Sequence, residues 1–178
     1  FLLGIIEGIT EFLPISSTGH LLIAERWLGH RSDLFNISIQ AGAILAVVAI
    51  YRNRLWELTT GFRKRENFDY AFKLAVAFGI TAVGGLLVKR AGWELPDNVR
   101  PIAWALVLGG VWMLAAEYFA GKRATSLGER ATIGWTVAIL VGIAQIVAGV
   151  FPGTSRSGAT IFIALLAGTT NRIAATEF

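Results

Sequence analysis

The sequence predicts an all-α, polytopic membrane protein with inverted-topology repeats and two re-entrant broken-helix hairpins. Three observations predict it. The chain is 54% hydrophobic and only 16% charged over 178 residues, where soluble domains carry about 25% charge. Long uncharged runs approach the roughly twenty apolar residues that a membrane crossing needs. Two of the apolar regions are interrupted by a proline and small polar residues, which disrupt an unbroken helix.

Taken in order, residues 1–178 read as a single integral membrane domain, incomplete at both ends. Residues 1–30 form the first re-entrant hairpin: an apolar arm, Pro14, the cluster ISSTGH, then LLIAERWLG. Glu7 and Glu11 interrupt the arm, so it does not read as a signal peptide. Residues 33–119 supply three crossings. The first is the uncharged LFNISIQAGAILAVVAIY, residues 34–51. The second is LAVAFGITAVGGLLV, residues 74–88, between Lys73 and Lys89. The third is PIAWALVLGGVWMLAA, residues 101–116, with Pro101 suited to a first helical turn. Residues 131–173 form the second re-entrant hairpin, broken at Pro152 and Gly153 and carrying PGTSRSG.

The two broken units resemble each other. GIIEGITEFLPISSTGH (residues 4–20) aligns without gaps on GIAQIVAGVFPGTSRSG (residues 142–158), pairing Pro14 with Pro152, Glu7 with Gln145 and Ser17 with Ser155. An odd number of crossings between the copies inverts one relative to the other, an architecture that builds midplane sites from broken helices. The loops at 52–70 and 121–130 carry the denser Lys and Arg and should be cytoplasmic; residues 89–100 then lie outside.

Composition also excludes function classes. With no cysteine, neither a disulfide framework nor a thiolate metal site can form, and two histidines cannot make a histidine-rich zinc cluster. The net charge of +4 is spread through short gaps between apolar runs. That is the pattern of residues flanking membrane spans, not the basic stripe of a nucleic-acid binder. The tryptophans read as interface anchors or lipid-facing bulk. Gly79, Gly84, Gly85, Gly109 and Gly110 read as close-packing positions.

The chemistry concentrates at the breaks. Glu7 and Glu11, four apart, share one helix face. Side by side they repel, and a bound Mg²⁺ or Ca²⁺ would relieve the repulsion, since both cations take carboxylate oxygen. A wet cavity or a retained proton would do so too. Exposed backbone at the Pro14 break has to line protein or water rather than lipid. Ser16, Ser17, Thr18 and His20 collect there, and either Ser16 or Ser17 is spaced to approach the imidazole. At the second break Gly153 and Gly158 allow close backbone approach. Thr154, Ser155 and Ser157 can cap the emerging helix while its free amides attract an anion. Arg156 can offer parallel donors to phosphate. This is an oxyanion cradle, although the P-loop pattern is absent. The blander alternative is a capped break with Arg156 snorkelling or neutralising a glutamate.

EGITEFLPISSTGH and PGTSRSGAT together resemble the bacterial undecaprenyl-pyrophosphate phosphatase family, which is also associated with bacitracin resistance. The resemblance implies a multi-pass inner-membrane enzyme. It would remove the terminal phosphate of undecaprenyl pyrophosphate and recycle the lipid carrier for cell-wall polymers. It maps metal binding onto Glu7 and Glu11, and catalysis onto Ser17, His20 and Arg156. Phosphate contacts fall on Ser16, Thr154, Ser155, Arg156, Ser157 and Gly158. Ser17 is then the preferred nucleophile with His20 as base, or His20 holds an attacking water. The implied partners are a polyprenyl diphosphate, membrane lipid and a second copy of the chain, with bacitracin acting indirectly by sequestering substrate and no nucleic acid. The active site is expected to open to the periplasmic side. The rival reading is a transporter or lipid flippase, which uses the same kind of inverted-repeat cavity.

Overall fold

The computed structural model describes residues 1–93, 99–151 and 153–178. The expected break residue Pro152 and most of the connection at 94–98 lie outside the described residues. All regular structure among the described residues is helical: α1 (Leu2–Glu11), α2 (Ser17–Leu28), α3 (Asp33–Ile50), α4 (Arg52–Thr60), α5 (Arg65–Arg90), α6 (Val99–Leu127), α7 (Trp135–Val150), α8 (Arg156–Ala167) and α9 (Arg172–Glu177).

Two of the three expected crossings are single helices long and apolar enough to cross a membrane, α5 and α6. Their flanks carry large apolar side chains turned outward, such as Phe78, 73% exposed, and Leu114, 75% exposed. A soluble surface would not spread apolar bulk so widely. The remaining run, residues 34–51, forms the single helix α3, and at its end the axis turns by 68° into α4. The turn falls where the uncharged run meets Arg52 and Arg54, so the charged α4 leaves the direction of the apolar rod. Taken together, the bent pair is long and apolar enough to count as a third crossing. The basic segments read as loops are also partly helical. Arg52 and Arg54 lie on α4, and α6 carries Lys122 and Arg123 before ending at Leu127.

Both broken units are present as helix–break–helix pairs, α1–α2 and α7–α8, each packed on its partner helix. α2 and α8 start in the same way. The Ser16 hydroxyl accepts from the Gly19 amide at 3.1 Å, and the Ser155 hydroxyl accepts from the Gly158 amide at 3.1 Å. S-x-x-G is therefore a cap motif used twice, satisfying one of the free amides of the first turn each time. These caps displace the gapless alignment by one residue. Ser16, not Ser17, corresponds to Ser155, and Gly19 corresponds to Gly158.

The units then cross reciprocally. A Cβ on Gly19 would lie 3.4 Å from the Gly153 Cα, and a Cβ on Gly158 would lie 3.0 Å from the Pro14 carbonyl oxygen. Small residues are required there because backbone meets backbone. Gly153, at φ +111°, also sits where a Cβ would come 2.7 Å from the Ile102 carbonyl oxygen of α6. Of the five glycines assigned to packing, Gly84 faces Ile146 and Gly109 faces the second break. Gly79, Gly85 and Gly110 have open space where a Cβ would stand. The buried apolar cluster lies beyond the crossing, where Ala120, Val137, Val141, Ala164, Leu165 and Ala175 tie α6, α7, α8 and α9 together. An ion pair between Glu117 and Arg172 fastens α9 to α6 from outside.

Candidate active site

The crossing of the two breaks leaves a cavity of about 360 Å³. Its wall takes Glu11 from the end of α1, Ser16, Ser17 and Thr18 from the start of α2, and Ser155, Arg156, Ser157 and Thr160 from the start of α8. α7 contributes Gln145, Ala148 and Gly149. The starts of α2 and α8 thus face one space, and helix starts present partial positive charge and unpaired amides to an anion.

The Ser17 hydroxyl donates to Glu11 Oε2 at 2.7 Å. This pairing differs from the one that sequence spacing suggests. His20 lies one turn further along α2, and its Nδ1 is 2.7 Å from the Ser16 carbonyl oxygen. The ring lines a separate, apolar groove with Ile5, Ile9, Ile23 and Trp27. No hydrogen bond joins Ser17 to His20 among the described residues.

Glu7 is 1% exposed, and its Oε2 has no hydrogen-bond partner among the described residues. Glu11, one turn further along α1, lines the cavity together with Arg156. A buried carboxylate oxygen without a partner is costly. Two adjacent carboxylates with one oxygen unmatched are a donor set that suits a hard divalent cation. Among the described residues no third acidic or imidazole side chain joins them.

The Arg156 guanidinium makes no hydrogen bond or ion pair among the described residues, leaving its donors to the cavity, while its carbonyl accepts from the Thr160 hydroxyl at 3.1 Å. Ser155 holds an unusual φ of +30° while capping α8, a conformation that costs on the order of 1–3 kcal/mol and is often found at functional sites. Ser157 Oγ donates to the Leu13 carbonyl at 3.3 Å and stands 3.4 Å from Ser155 Oγ, linking the second break to the first. Two of the expected phosphate ligands are placed differently. Thr154 backs onto Gly109 rather than the cavity, and the Gly158 amide is already taken by Ser155.

A family model described as Bacitracin resistance protein BacA matches residues 1–178. The chain belongs to that family. It is 70% identical over 177 residues to an undecaprenyl-diphosphatase of Rhizobium etli (strain CIAT 652), an alignment that covers 99% of this chain and 65% of the relative. It is 65% identical, with the same coverage, to an undecaprenyl-diphosphatase of Xanthomonas euvesicatoria pv. vesicatoria. The chain therefore spans about 65% of the length of the curated relatives it matches.

The cavity of this BacA-family chain includes groups that sequence reasoning did not select. Gln145 and Thr160 line it, and Gly149 opens it. Thr160 stands one turn after Arg156 on α8, a spacing that could have revealed it. Gln145 stood out as a polar residue in an otherwise apolar helix and as the partner of Glu7 in the alignment of the two broken units. His30 lies in an exposed turn, with its Nδ1 3.0 Å from the buried Glu25.

Proposed function

We propose that the full-length protein is a hydrolase that removes the terminal phosphate of undecaprenyl pyrophosphate, leaving undecaprenyl phosphate for reuse in cell-wall synthesis. One observation carries the reading: Glu11, Ser17 and Arg156 line the same cavity although they come from breaks far apart in sequence. A carboxylate-bound hydroxyl facing a free guanidinium is a nucleophile beside an anion holder.

The terminal phosphoryl group sits against Arg156 and the starts of α2 and α8, whose donors stabilise the charge that gathers on its oxygens. Ser17 Oγ attacks phosphorus while its proton passes to Glu11 Oε2. The bond from phosphorus to the bridging oxygen breaks, and undecaprenyl phosphate leaves with that oxygen. Water then attacks the phosphoserine, releasing inorganic phosphate and restoring Ser17. His20 fixes the Ser16 carbonyl and so the start of α2; its other role, as base or water holder, is the alternative within this scheme. Glu7 and Glu11 would hold a divalent cation, Mg²⁺ or Ca²⁺, which when bound supplies positive charge to the diphosphate.

The reciprocal contacts Gly19–Gly153 and Gly158–Pro14 support reading the two units as inverted repeats that dip into the inner membrane from opposite faces, with the cavity open to the periplasm. The isoprenoid tail stays among apolar helices or lipid.

Phosphate release from defined lipid diphosphates by the purified full-length protein tests the reading. Release that depends on a divalent cation and is lost in S17A and E11Q is expected. Binding of the lipid without any phosphate release would point to a transporter or flippase instead.

A further inference from the structure

We infer that Gln145, held in place by Thr81, recognises the second phosphate of the substrate, so that the cavity selects a diphosphate over a monophosphate. This rests on the phosphatase reading above. The catalytic groups occupy the α1, α2 and α8 side of the cavity; the α7 side carries Gln145, Ala148 and Gly149. These fall at i, i+3 and i+4, so they form one continuous helix face. That face has no anion, and a Cβ on Gly149 would meet nothing within 4 Å. It thus offers room and one neutral polar group on a different helix from Glu11.

The position of Gln145 is fixed by an unusually close helix crossing. A Cβ on Gly142 would come 2.9 Å from the Ala77 carbonyl oxygen, and Gly84 lies directly against Ile146. These glycines let α5 approach α7 closely enough for Thr81 to reach across. Its Oγ1 lies 2.9 Å from the Ala77 carbonyl oxygen of its own helix, 3.2 Å from the Gly142 carbonyl oxygen and 3.3 Å from the Gln145 side-chain amide. Thr81 holds one side of the Gln145 amide, and the other side is left to the cavity. A neutral NH₂ there donates to phosphate oxygen without neutralising the cation-binding wall. An amide serves a phosphate that has to depart with the lipid, because it holds an anion more weakly than a guanidinium does.

The test uses full-length protein and two probes, inorganic pyrophosphate and orthophosphate, with binding measured by calorimetry and turnover measured on a lipid diphosphate. Gln145→Met keeps the side-chain length and removes the amide. It should weaken pyrophosphate binding about tenfold or more, the usual loss for a hydrogen bond to a charged group. Orthophosphate binding should hold within about twofold, and KM should rise far more than kcat falls. Thr81→Val should shift pyrophosphate in the same direction by a smaller factor, and Thr81→Ser should restore it. Equal losses for both anions, or none in either variant, would overturn the assignment. If the wild-type protein binds both anions equally, the assignment also fails, whatever the turnover. A wild-type protein that prefers pyrophosphate yet releases no phosphate would instead sink the hydrolase reading alone.

Discussion

The Ser17 hydroxyl donates to Glu11 at 2.7 Å, so changes at either residue act on the same proton. S17A should abolish formation of a phosphoenzyme and lower phosphate release by about a thousandfold or more, as removal of a nucleophile does. A quench experiment with labelled lipid diphosphate checks it, and efficient turnover without phosphoenzyme would hand the attack to water. R156K keeps the charge but loses the planar donor fork, and should cost about a hundredfold in kcat. Near-normal turnover in R156K would reject paired contacts from the guanidinium. The polar residues that line the cavity stood out in the sequence as types, because carboxylates, hydroxyls and an arginine are costly inside apolar segments. Their pairing was not legible. Ser17 stands three residues before His20 and six after Glu11, and helical spacing favours the former. The break before α2 turns Ser17 back over α1 instead, and a break's geometry cannot be read from spacing.

At the scale of elements, glycine decides which helices meet closely. Gly142→Ala places a methyl group 2.9 Å from the Ala77 carbonyl and against Ile80, so α5 and α7 have to separate. Such overpacking costs about 1–3 kcal/mol. A lower melting temperature in detergent should appear together with a raised KM, because Thr81 is drawn away from Gln145. A stable variant with an unchanged KM would contradict the coupling. Gly158→Ala should be more damaging to turnover, since its Cβ would press on the Pro14 carbonyl at 3.0 Å where the two breaks cross. The sequence exposed the apolar rods and the two interruptions clearly, because charge and proline cannot hide in such runs. Matching Ser17 to Ser155 maximises similarity of letters, whereas the chain repeats a cap, and the capping hydroxyls are Ser16 and Ser155. Nor did composition distinguish glycines against a neighbouring helix, such as Gly84, from those facing open space, such as Gly85.

For the whole molecule, the inverted arrangement requires an odd number of crossings between the two broken units, and the bent pair α3–α4 decides the count. Single cysteines at Ser32, Arg63 and Ser126, introduced into a full-length cysteine-free background, report it through an impermeant maleimide. Ser32 should label from outside, and Arg63 and Ser126 only after the membrane is opened; Ser32 and Arg63 labelling from one side would make α3 a re-entrant arm. The 34–51 run was legible because no charge interrupts it, and the bend that follows begins where the charges begin. Everything chemical depends on the two breaks forming one site, and a double-mutant cycle on phosphate release from undecaprenyl pyrophosphate measures that most directly. E11Q and R156K should each lower kcat/KM by about a hundredfold or more, and the double variant should be little worse than the poorer single one, as for residues acting as a unit. Losses that multiply, or a single variant near wild-type turnover, would contradict a shared catalytic cavity.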